Sequence, residues 1–514
     1  MRLAKPKKKG IIHILFSRVL IIGLLILFQV LIFIGIYLLL EDSIPFFTAA
    51  EILFTFGMIF YIFNSGMDST AKLTWLLIVA IAPIPGAIFL AYTKFNVGNR
   101  EVTRRVEKLI EESKDLISQD PETLKALKND KSGTAALDCY INRTNSFPVY
   151  KNSSVEFFPL GEYKFKAMLE ELEKAEKFIF MEYFIIEEGD MWGSILDILV
   201  RKAKEGVDVR VMFDGLCEIT TLPHNYVKLL KEKGIKAHAF SHLTPMVSTH
   251  YNYRDHRKIL VIDGKVAFNG GVNLADEYIN RIVRFGHWKD TAVMVKGPAV
   301  QTFTLMFLQM WNVYEKEADF KEASIKAEPV EAEGYVIPYG DCPLDRYKVG
   351  ESIYTDILYR ANRYVHIMTP YLILDGELET ALKYAGERGI DVKIILPGIP
   401  DKKAAYSLAK AHYKSLIESG VKIYEYTPGF VHAKVVSSDD EKAVVGTINF
   451  DYRSLYHHFE CATYMYKTSC IKEINADFQE TLEKCREVTP ETIKNEKKSY
   501  KIFGALLKLI APLF

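Results

Sequence analysis

A chain of 514 residues exceeds one ordinary domain and has room for two α/β bodies and an anchoring region. Its 65 basic and 65 acidic residues cancel, which argues against the basic face that a nucleic-acid partner requires. Six cysteines (Cys139, Cys217, Cys342, Cys461, Cys470, Cys485) lie without CxxC spacing and read as thiols of a reducing compartment, not as a disulfide framework.

Residues 1–95 read as a membrane region with two to three hydrophobic segments. A basic tail carries Arg2, Lys5, Lys7, Lys8 and Lys9. The apolar run at 19–40 is of spanning length, too long for a signal peptide and without a small-residue cleavage site. A second run, 44–63, contains Glu51, and a third, 73–95, contains Pro83 and Pro85. Basic residues flank both ends: the tail before, and Lys94, Arg100, Arg104, Arg105 and Lys108 after. Both ends are therefore expected on the cytoplasmic side, which requires an even number of crossings. One of the second and third segments is then re-entrant or interfacial, and the chain is expected in the cell membrane, multi-pass, with its remaining bulk in the cytoplasm. Residues 96–150 read as a charged linker, helical over 101–133.

Two α/β halves are expected next, at 151–320 and 335–490, joined where Glu, Lys and Ala dominate at 321–333. Lys177-Phe-Ile-Phe-Met-Glu-Tyr183 resembles Arg363-Tyr-Val-His-Ile-Met-Thr-Pro-Tyr371, and the strand at 206–215 parallels that at 389–398. Strands alternating with helical patterns predict a mostly parallel sheet in each half. The tail at 491–514 sets apolar residues at helical spacing beside lysines. It reads either as an interfacial amphipathic helix or as a helix packed on the α/β body.

One motif is written twice. His256 and Lys258 are followed by Asp263 and Asn273; His432 and Lys434 are followed by Asp439 and Asn449, and in both copies the Asn stands 17 residues after the His. Alternation along a strand puts each His and its Lys on one face. An imidazole can attack phosphorus or move a proton, and ammonium and amide groups can stabilise a five-coordinate phosphorus. A phosphodiester needs a nucleophile on one side and a proton for the leaving oxygen on the other, so the two copies are expected to build one site about a pseudo-twofold axis. Asp290 and Glu460, which follow His256 by 34 and His432 by 28 residues, are read as the carboxylates that orient the histidines. Asp263 and Asp439, at the far strand ends, serve either the chemistry or the turns that fix the fold. No Cys lies in either motif and Lys is a poor metal ligand at neutral pH, so no metal or other cofactor is expected.

These motifs resemble the paired HKD motifs of the phospholipase D superfamily. The flanks are similar to bacterial cardiolipin synthases: 252–258, 270–278, 287–291, 429–434 and 451–455. The family often carries Ser or Thr after the Gly that leads to the Asn; Thr447 fills that place, whereas Gly271 stands in the first copy. The resemblance implies transfer of a phosphatidyl group from one phosphatidylglycerol to another, giving cardiolipin and glycerol. His256 would be the nucleophile, forming a phosphohistidine, and His432 the acid, with Lys258, Lys434, Asn273 and Asn449 holding phosphate oxygens. A phospholipase D-like hydrolase or a phosphatidylserine synthase would use the same residues. The expected partners are phosphatidylglycerol and the bilayer, not nucleic acid.

Overall fold

The computed structural model describes residues 27–28, 31–32, 44–94, 100–130, 132–240 and 253–513. The basic tail and nearly all of the apolar run at 19–40 lie outside them. The chain divides into two compact units, one of residues up to Val97 with Leu509–Leu513, the other Gly98–Lys508.

In the first unit, helix Ile44–Phe63 runs unbroken for 20 residues, about 30 Å, and is the one helix among the described residues long and apolar enough to cross a bilayer. The third apolar run does not continue in this way. It forms two short helices, Ser69–Ile81 and Pro83–Lys94, that part at Ala82. Proline lacks an N–H and pushes the preceding residue out of the helical region, and Ala82 sits at φ −140°, ψ 78°. Trp75 and Phe89 meet at 5.2 Å in a small core with Ile62, Val79 and Leu90.

The second unit holds two α/β halves of matching design. In the first, the strand order is Ser154–Phe158, Ala292–Lys296, Val266–Gly270, Lys258–Ile262, Phe178–Tyr183, Asp208–Asp214, Lys236–Phe240. In the second it is Tyr335–Asp341, His458–Tyr466, Lys442–Gly446, Val435–Ser438, Tyr364–Met368, Asp391–Pro397, Lys422–Tyr426, with Cys485–Glu487 added at the edge. Only the last three strands of each seven-strand series run parallel; the remaining pairings are antiparallel. The sheets are thus mixed, not mostly parallel. The reason lies in the motif. Each motif strand returns through a tight hairpin, which needs no crossover helix. The hairpin turns are Asp263-Gly264 and Asp439-Asp440, all at positive φ, the pattern of a type I′ turn.

Helix Val300–Trp311 is buried along all 12 residues, as its apolar circumference demands, and lies in the core that spans both halves. Residues 100–145 are no bare tether. They form helices Arg100–Ser113, Pro121–Asn129 and Thr134–Asn145, whose Val106, Leu127, Leu137 and Ile141 enter the same core.

Two short parallel strand pairs cross between the halves. Arg254–Asp255, just before the first motif histidine, pairs with His458–Phe459 of the second half. Gly429–Val431, just before the second, pairs with His287–Lys289 of the first. Gly429 is required here, since a Cβ at this position would lie 2.2 Å from the His287 oxygen.

Candidate active site

The crossing strands bring each histidine to a carboxylate of the other half. His256 Nδ1 lies 2.9 Å from both oxygens of Glu460, and His432 Nδ1 lies 2.6 Å from Asp290 Oδ2. Backbone bonds fix the register: His256 N–H donates to the Phe459 carbonyl at 2.9 Å, and His432 N–H to the Lys289 carbonyl at 2.7 Å. A neutral imidazole that keeps its proton on Nδ1, shared with a carboxylate, leaves the Nε2 lone pair for reaction.

The lysines lie beside the histidines as alternation requires. Lys258 Nζ donates to the His256 carbonyl at 2.6 Å, and Lys434 Nζ donates to the His432 carbonyl and lies 2.9 Å from His432 Nδ1. All four side chains are buried. Burial first, then the neighbouring lysines, holds His256 well below the usual imidazole range and pushes His432 down to about 4. Burial likewise pushes Lys258 down to about 8 and Lys434 down to about 7, against the upward pull of Glu460 and Asp290. Burial and the mutual repulsion of these cations disfavour positive charge here, so a phosphate anion is the natural counter-ion for both amines.

The carboxylates differ in their second contacts. Glu460 Oε2 accepts the Thr447 hydroxyl, whereas Asp290 Oδ1 accepts the Thr291 N–H at 2.9 Å. The missing hydroxyl in the first copy has a steric cause, because a Cβ on Gly271 would lie 2.1 Å from Asp290 Oδ1.

Asn273 is tied into the fold: its Oδ1 accepts the Ile185 N–H at 3.0 Å and its Nδ2 donates to the Tyr278 hydroxyl at 2.8 Å, leaving one amide hydrogen. Asn449 Oδ1 is buried without a hydrogen-bond partner among the described residues. Asp263 and Asp439 do not join the site. Asp263 accepts the N–H groups of Glu176, Lys177 and Phe178, at 2.8–2.9 Å, and Asp439 those of Asn362, Arg363 and Tyr364, at 2.8–3.0 Å. Their carboxylates are committed to fixing the start of the neighbouring strand and are not near the reacting groups.

Two neighbours, Lys164 and Tyr354, carry no signal in the sequence. Lys164, fully buried, donates to the Val272 carbonyl at 3.1 Å and to the Tyr183 hydroxyl at 3.3 Å, and burial pushes it down to about 7. In the second half the Tyr354 hydroxyl donates to the equivalent carbonyl, Ile448, at 2.8 Å. Trp288 and Tyr278 pack on His432, with ring centroids at 5.5 and 5.3 Å; Phe184 and His458 pack on His256, at 4.9 and 5.4 Å.

A family model described as "Cardiolipin synthase, PLD-like domain" matches residues 168–311 and 354–482. An uncharacterized protein of Streptococcus mutans is 58% identical over 458 residues, 89% of this chain and 99% of its own length. A cardiolipin synthase of Alkalihalophilus pseudofirmus is 33% identical over 472 residues, 90% of this chain and 93% of that protein, and cardiolipin synthase 2 of Bacillus anthracis is 32% identical over 466 residues, 90% of each. Among solved structures, a phosphatidylserine synthase of Haemophilus influenzae superposes with a TM-score of 0.56 at 16% identity, covering 74% of this chain and 97% of that one, a likeness of fold. With duplicated motifs in two α/β halves and relatives alike over nearly their whole length, the chain belongs to the cardiolipin synthase family of phospholipase D-like phosphatidyltransferases.

Proposed function

We propose that the protein is a cardiolipin synthase that joins two phosphatidylglycerols at one site shared by its halves. The observation that carries this reading is the reciprocal hold: each imidazole keeps Nδ1 on a carboxylate of the other half, so both Nε2 atoms are left for chemistry. His256 Nε2 attacks phosphorus, and a P–N bond forms as the P–O bond to glycerol breaks. His432 gives its proton to the departing glycerol oxygen. It then takes the proton of a second phosphatidylglycerol hydroxyl, whose oxygen attacks phosphorus and releases His256. Lys258 and Lys434 stabilise the added negative charge, with the amide hydrogens of Asn449 and the remaining one of Asn273 beside them. Burial and Lys434 disfavour the charged form of His432, and the phosphate anion of a bound lipid raises its affinity for the proton it must deliver.

Matched strand orders and reciprocal crossing strands support a pseudo-twofold relation between the halves. Helix Ile44–Phe63 is read as a membrane span and the broken pair Ser69–Ile81 and Pro83–Lys94 as a re-entrant hairpin; with a span from 19–40, both ends of the membrane region face the cytoplasm. The bilayer then supplies donor and acceptor lipid at high local concentration, and water competes poorly.

Purified full-length protein in phosphatidylglycerol vesicles tests the reading: cardiolipin and free glycerol should appear in equal amounts. Phosphatidic acid as the main product would make the protein a hydrolase.

A further inference from the structure

His458 stands two residues before Glu460, as Trp288 stands two before Asp290, so the first half covers its neighbouring histidine with an indole and the second half uses an imidazole. That exchange has a cost. His458 is 8% exposed, and neither ring nitrogen has a hydrogen-bond partner among the described residues. Glu460 Oε1 lies 3.6 Å from its Nδ1, beyond hydrogen-bonding range. A buried imidazole left unbonded loses about 1–3 kcal/mol relative to a satisfied one. A purely apolar neighbour would have filled the space without that loss.

The unpaired nitrogens face a specific arrangement. One donor atom each from His256, His458 and Glu460 lies within 4.8 Å of the other two. Glu460 carboxylate oxygens are 2.9 Å from His256 Nδ1 and 3.6 Å from His458 Nδ1. In a tetrahedral zinc site with bonds of about 2.0–2.1 Å, neighbouring donors stand about 3.3–3.4 Å apart, and the two separations bracket that edge. Two imidazoles and one carboxylate form a complete zinc ligand set with the fourth position left for water or substrate. The sequence motif conceals this set, because its donors come from both halves and only the crossing strands unite them.

We propose that His256, His458 and Glu460 bind a zinc-type divalent ion, and that the bound ion reversibly switches the enzyme off. An ion on His256 Nδ1 takes the lone pair of that nitrogen, so the proton of the neutral ring moves to Nε2. No proton is lost, but Nε2 no longer has a lone pair to attack phosphorus. The ion is an inhibitor here, not a cofactor. Lys258, two residues from His256, opposes a cation and keeps the binding weaker and more reversible than at a structural zinc site. The binding stands on its own; only the inhibition rests on the reading of His256 as the nucleophile.

Cobalt(II), which gives visible absorption bands in tetrahedral N/O sites, is the probe. Full-length protein in detergent micelles should show saturable bands at one ion per chain, displaced by zinc. In phosphatidylglycerol vesicles, micromolar zinc should stop lipid transfer, and a chelator should restore it. His458→Asn and His458→Trp, checked for an unchanged melting temperature, should lose the bands. Their zinc sensitivity, each measured against its own metal-free rate, should fall at least tenfold. Absent bands in the unmodified protein, or bands and zinc sensitivity unchanged in both variants, overturn the site. Zinc that binds without slowing transfer overturns the inhibition. Because the cobalt bands need no turnover, they decide the ion even if the protein makes no cardiolipin.

Discussion

Lys434 is an amine in a site that repels positive charge. Burial pushes it down to about 7, and Lys258 pushes it the same way while Asp290 pulls back. An amine loses its charge as the pH rises through its pKa, and in the proposed reaction only the charged form stabilises the phosphorane. The kcat/KM for lipid transfer should therefore fall as the pH rises above about 7, and Lys434→Arg, which stays charged, should flatten that limb at a lower overall rate; a limb unmoved by the substitution would assign it to another group. Gly271 makes a second prediction at this scale. Gly271→Thr would copy the residue of the other half, yet its Cβ would lie 2.1 Å from Asp290 Oδ1 and push that carboxylate off His432. We expect kcat to drop about 10–100-fold with KM little changed, read by steady-state kinetics; a near-normal kcat would show that Asp290 does not orient His432.

At the scale of the element, the crossing strands decide the site. A Cβ at Gly429 would meet the backbone of His287, oxygen at 2.2 Å and nitrogen at 2.4 Å. Gly429→Ala should spread the pair and carry His432 away from Asp290. Overpacking of this kind costs about 1–3 kcal/mol, read as a lower melting temperature, and a displacement of about 1 Å should slow transfer by well over tenfold. This is also where the sequence stops being legible. The placement of each motif His and Lys on one face can be read directly, because alternation along a strand is a local property. Strand pairing across 204 residues, His256 to Glu460, and across 142, His432 to Asp290, has no local signature. Spacing names both carboxylates and cannot say which histidine each one serves. Lys164 is hidden for a similar reason: a lysine on an amphipathic helix reads as solvent-facing, and only the fold buries it. The sheets are mixed because the alternating strands and helices describe only three strands of each series.

For the whole molecule, the division at Val97 separates apolar helices from a self-contained α/β body. Removal of residues 1–97 should leave cooperative unfolding of that body intact while cardiolipin synthesis on vesicles falls, through lower access to lipid; loss of the folded body itself would show that the first unit is structural. The tail, too, has a side for each reading: Gly504 and Leu507 of helix Lys498–Lys508 are buried, the glycine against the Ser407 carbonyl, while Ile502, Phe503 and Leu506 are exposed. The crossed strands carry a genetic consequence. Neither half holds a complete histidine–carboxylate pair, because each motif histidine borrows its carboxylate from the other half, and the peptide connection at 331–333 contributes no group to either pair. Two polypeptides divided there should each be inert when expressed alone and should complement one another when co-expressed, so that a His256→Ala lesion in one gene product is rescued only by a second intact copy of that same fragment, never by the other.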